Sequence, residues 1–104
     1  MIKESEKTLE AKLRKGVEKR GGMCIKLLSQ LHRGLPDRMV LLPYGAIYFV
    51  ELKSTCKNPT LLQKHCHKQL TDLGQMVFVI DNSEALEDFF QCVDVEMEAL
   101  KALS

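Results

Sequence analysis

The sequence predicts an α/β domain, a mixed central sheet flanked by helices, and three observations carry that reading. Short apolar runs suited to strands recur at 23–28, 38–42, 46–52 and 75–80. Apolar residues at helical spacing fill the stretches before, between and after them. The last two strand-like runs are separated by a long, helix-bearing crossover, which favours parallel pairing. At 104 residues and 45% apolar composition, the chain suits one domain, 1–104, with one core, and not a disordered segment.

Each element has its own signal. Ser5 can cap a first helix whose apolar positions Leu9, Leu13 and Val17 repeat every four residues, and Gly21-Gly22 supplies the stop. The runs 23–28 and 38–42 follow as strands, and a turn at Pro43-Tyr44-Gly45 leads into 46–52, which is almost wholly apolar until its charged end, as a central strand should be. Pro59-Thr60 opens a second helix through Leu61, Leu62, Leu70 and Leu73, closed by Gly74. The run 75–80 is a second buried strand, and Ser83 begins an acidic helical tail, 83–104.

Charge is balanced overall but not along the chain. Residues 1–70 carry 14 Lys and Arg against 6 Asp and Glu, whereas 71–104 carry 1 against 8. Lys26, Arg33, Arg38, Lys57, Lys64 and Lys68 make a polyanion such as a nucleic-acid backbone a plausible partner, although a pair of solvated helices of opposite sign would read the same way. The few aromatics look like core, so phosphate contact and shape fit better than base stacking. No run approaches the length of a membrane helix and the amino terminus is charged, so no membrane partner is expected and a cytoplasmic location is. Cys24, Cys56, Cys66 and Cys92 show no close pairing, which favours reduced thiols. His65-Cys66-His67 with Cys56 is a poor zinc set, because adjacent helical residues point to different faces.

The chemistry concentrates between Gly34 and Lys53. Alternation along the strand puts Ile47, Phe49, Glu51 and Lys53 on one face, so Glu51 and Lys53 point the same way. If Asp37 opens the neighbouring strand of a hairpin, its carboxylate comes close to Glu51, forming a hard-oxygen site suited to Mg²⁺ or Mn²⁺. The bland alternative is a solvated strand end with an ordinary surface pair. Gln63 lies three residues after Thr60, the spacing of a capping box, and can cap its helix, serve the site, or both.

These residues together resemble the virus-type replication-repair nuclease (VRR-NUC) domain of the PD-(D/E)xK superfamily. The resemblance covers about 6–82 and rests on the Glu-bearing first helix, Gly21-Gly22 before a Lys26-containing strand, Gly34-Leu35-Pro36-Asp37-Arg38, Phe49-Val50-Glu51-Leu52-Lys53, Leu62-Gln63, and Leu73-Gly74 leading to Val77-Phe78-Val79-Ile80. It implies a restriction-endonuclease-like core and a Mg²⁺- or Mn²⁺-dependent endodeoxyribonuclease. Asp37, Glu51 and Lys53 would form the catalytic centre with Gln63 as an accessory residue. Glu10 on the first helix, or Glu6 one turn earlier, would be a further metal carboxylate, and the Leu52 carbonyl would assist. The same resemblance points to a homodimer acting on branched DNA, above all four-way (Holliday) junctions, in the cytoplasm of a bacterial or phage-infected cell. The alternatives are a flap or single-strand nuclease and a non-catalytic nucleic-acid-binding module on the same fold.

Overall fold

A computed structural model describes residues 3–28 and 32–104. The elements run α1 (Glu6–Lys19), β1 (Met23–Lys26), β2 (Arg38–Leu41), β3 (Ile47–Leu52), α2 (Leu61–Asp72), β4 (Val77–Ile80) and α3 (Ser83–Leu103), with a 3₁₀ turn at Pro43–Gly45 joining β2 to β3. The four strands form one sheet in the order β1-β2-β3-β4. The first two pairings are antiparallel and β3–β4 is parallel, with Glu51 beside Val79 and Leu52 beside Ile80. The α/β class and the mixed sheet are therefore as the sequence reads.

Period-two alternation divides β3 between two layers. Tyr48, Val50 and Leu52 join a core with Leu9, Leu13 and Val17 of α1 and Leu86, Phe89 and Val93 of α3. Phe89 meets Tyr48 and Phe78 edge-on, at centroid distances of 5.6 and 5.0 Å. The opposite alternation turns Glu51 towards α2. The sheet is thus covered by α1 and α3 on one side and by α2 on the other.

Helix ends follow local chemistry. Ser5 Oγ accepts from the Thr8 amide at the start of α1, and Asn82 does the same for Ala85 at the start of α3. At the end of α2 the Gly74 amide reaches Thr71 and the Gln75 amide reaches Leu70, so β4 begins at Val77 and not at 75. The carboxyl-terminal helix is more than an acidic tail. It buries Leu86, Phe89 and Val93, and Phe90 sits against Gly16 of α1 so closely that a Cβ there would lie 2.3 Å from the ring. Among the described residues, no helix is long and apolar enough to cross a membrane.

Candidate active site

The site forms at the carboxyl end of β3, where three elements deliver polar groups to one buried point. Asp37 stands just before β2. Because Arg38 pairs with Val50, the antiparallel ladder continued by one step sets Asp37 opposite Glu51. Its Oδ2 accepts from the Leu52 amide at 2.9 Å, while its carbonyl accepts from the Leu27 amide and from Arg38 Nη1. The preceding loop also approaches α2 closely. Gly34 has φ +87°, and a Cβ there would lie 2.7 Å from the Leu62 carbonyl oxygen, so a side chain is excluded by both conformation and space.

Glu51 is 1% exposed, an unusual state for a carboxylate. Its two oxygens have different neighbours. Oε2 accepts from Gln63 Nε2 at 3.2 Å and lies 3.6 Å from Lys53 Nζ. Oε1 has no hydrogen-bond partner and faces His67 Nε2 at 3.7 Å, a nitrogen that is itself buried and unpartnered. Burial first, and then the Asp37 carboxylate, push the Glu51 carboxyl up to about 8, against the opposing pull of Lys53. Burial also holds the His67 imidazole below its ordinary value, against the Asp37 carboxylate and with help from Lys53.

Gln63 uses both ends of its amide. Its Oε1 accepts from the Thr60 amide at 2.9 Å, and Thr60 Oγ1 accepts from the Gln63 amide at 3.1 Å, closing a capping box. Its Nε2 is thereby left to point at Glu51. Beyond Lys53, whose amide donates to Ile80, the buried Thr55 ties the loop down by donating to the Asp81 carbonyl and accepting from the Glu4 amide.

Asp37, Glu51, Lys53, Gln63 and the Leu52 backbone are therefore together. Glu10 makes no hydrogen bond or ion pair with them; its Oε1 lies 3.8 Å from Arg14 Nε, on the helix whose buried stripe is Leu9, Leu13 and Val17. No three His, Cys, Asp or Glu side chains among the described residues are assembled as metal ligands. Of the basic residues, Lys26, Arg33, Lys57 and Lys64 are exposed, Arg38 leans on the Asp37 carbonyl, and Lys68 is paired with Asp72 at 2.8 Å. In the sequence His67 was weighed only within a poor zinc set and not as a neighbour of Glu51. Its signal was available, since it follows Gln63 by four residues and so shares its helix face. His65, by contrast, is exposed and Cys66 is buried beneath α2, so the three adjacent residues do point apart.

No family model matches the chain. Over 79 residues, 76% of the chain and 85% of the relative, it is 42% identical to a protein of Acyrthosiphon pisum secondary endosymbiont phage 1 named "Putative nuclease p44". A solved structure described as a VRR_NUC domain superposes with a TM-score of 0.79 at 27% identity, covering 85% of this chain and 97% of the other.

Proposed function

Because the chain belongs to the VRR-NUC family of nucleases, we propose that it is a divalent-metal-dependent endodeoxyribonuclease that cuts branched DNA as a homodimer, with four-way junctions its best substrate. The observation that carries the catalytic part is the buried Glu51 carboxylate, met from three sides by Asp37, Lys53 and Gln63. These residues fit a cation. Two carboxyl groups act on each other there, one of them with an unpartnered buried oxygen, and carboxylate oxygens are the donors a hard divalent cation takes. Asp37, Glu51 and the Leu52 carbonyl would hold it, and Glu10 would contribute only through water.

Phosphodiester hydrolysis needs a nucleophilic water, neutralisation of the phosphate oxygens and help for the leaving alkoxide. When bound, a divalent cation supplies charge neutralisation and a more acidic water. Lys53 orients the attacking water and offsets charge developing on the phosphorus oxygens, and Gln63 fixes the Glu51 carboxylate from behind. Lys26, Arg33, Arg38, Lys57, Lys64 and Lys68 would contact backbone phosphates. A domain of this size has little surface for reading bases, so the shape of the DNA carries selectivity. A two-fold dimer would set two such centres against two strands of a symmetric branch.

The test compares cleavage of matched linear, flap and four-way substrates with Mg²⁺ or Mn²⁺, alongside light scattering. Asp37→Ala, Glu51→Ala and Lys53→Ala should each abolish cutting in a folded domain, and excess chelator should do the same. Retained activity in Asp37→Ala would remove the catalytic assignment. A monomer on DNA, or equal rates on linear and four-way substrates, would remove the junction reading alone.

A further inference from the structure

The two oxygens of Glu51 are not equivalent, and the difference has chemical content. Oε2 lies among positive hydrogens, those of the Gln63 amide and the Lys53 ammonium. Oε1 is left facing His67 Nε2 across 3.7 Å, too far for a hydrogen bond, and neither atom has any other hydrogen-bond partner. Buried unpaired polar atoms are uncommon and costly, and two of them turned towards each other call for a shared partner. An imidazole nitrogen and a carboxylate oxygen are both donors that a divalent cation would take.

We propose that His67 is a ligand of the catalytic metal, its Nε2 joining Glu51 Oε1 in a mixed nitrogen and oxygen set that favours Mn²⁺ over Mg²⁺. The proposal rests on the reading of this site as metal-binding, and it adds a residue from α2 to donors that otherwise come from the sheet. Placement supports it. Gln63 and His67 stand one helical turn apart on the same face of α2, so the helix both steadies Oε2 and supplies a lone pair beside Oε1. Gln63 is in turn fixed by its bond to the Thr60 amide, which fixes the first turn of the helix from which His67 projects. A carboxylate-only site would suit Mg²⁺, whereas imidazole shifts preference towards first-row transition ions. The remaining positions would fall to Asp37, the Leu52 carbonyl and water, with the three side chains drawn together only on binding, since they are not assembled as a ligand set in the metal-free structure.

The decisive measurement is pulsed electron paramagnetic resonance on the full chain loaded with Mn²⁺, paired with titration calorimetry for Mn²⁺ and Mg²⁺. The wild type should show the ¹⁴N coupling of a directly bound imidazole. His67→Gln should lose that coupling while still binding Mn²⁺ about ten-fold more weakly, with a smaller loss for Mg²⁺. Mn²⁺ that binds in a manner abolished by Asp37→Ala, yet shows no ¹⁴N coupling, would overturn the His67 assignment and leave the metal site standing. Failure of Mn²⁺ to bind at all would overturn both. If His67→Gln does not fold, the wild-type spectrum decides alone.

Discussion

A carboxyl group with less than a fiftieth of its surface exposed is a local liability, and Glu51 shows how this chain manages one. Its folded-state pKa lies near 8, above the ordinary 4.5, so the stability it contributes in the metal-free protein is complete below about pH 4.5 and is lost as pH rises through 8. Glu51→Gln removes that dependence. In chelator at pH 8 this variant should therefore melt about 5 °C above the wild type, the effect of roughly 1 kcal/mol in a domain this size. A melting temperature at or below wild type would show that burial does not act as described. Gln63 permits a cleaner separation. Thr60→Ala removes only the cap and should cost about 1 kcal/mol with cleavage retained, whereas Gln63→Ala should lose a similar amount of stability and most of the cleavage. Denaturant midpoints and single-turnover rates would separate the two. Asp37, Glu51 and Lys53 were legible because strand alternation and hairpin pairing are local rules. His67 was legible only by way of Gln63, whose helix face it shares, because which face of α2 meets the sheet is settled by long-range packing.

At the level of elements, the sequence located every helix and strand but placed some ends differently. Strand β3 starts at Ile47 because the Ala46 carbonyl is taken by the Leu42 amide in the turn, and β4 starts late because the Gln75 amide finishes α2. Such competition for backbone groups leaves little trace in side-chain pattern. In α3 the sequence marked Phe89 and Phe90 as core within an acidic tail, and the structure extends that inward face to Leu86, Val93, Met97 and Leu100 at helical spacing. Its contact with α1 is specific. Arg20 lies 4.1 Å over the Phe90 ring and reaches both carboxylate oxygens of Asp94, at 2.7 and 3.0 Å. Since the ring occupies the space above Gly16, Gly16→Ala should destabilise the domain by about 1–2 kcal/mol, overpacking outweighing the gain in helix propensity. Phe90→Leu in the same chain should recover part of that loss. A more stable Gly16→Ala single variant in urea melts would contradict the packing.

Across the whole molecule, the residues before α1 are fastened to the start of α3. Glu4 accepts from the Ser83 amide and hydroxyl and from Lys12, while its own amide donates to Thr55. Lys12 first, then Ser83, hold the Glu4 carboxyl down at about 2 from its usual 4.5, so its stabilisation is present above about pH 4.5 and disappears as pH falls towards 2. Thermal melts from pH 5 to pH 2 should fall more steeply for wild type than for Glu4→Gln; parallel curves would mean the fastening is inert. This tie joins residues nearly 80 positions apart, which is why no local pattern announced it. The shared amide of Gln63 has a further consequence, for the life of the chain during its synthesis. A ribosome releases Asp37, Glu51 and Lys53 before the residues of α2, and until that helix winds its first turn the Glu51 carboxylate lacks the Gln63 amide that donates to it. If these residues cut nucleic acid as proposed, the growing polypeptide would carry them with Glu51 still lacking its Gln63 donor, and the site would be completed only as α2 folds.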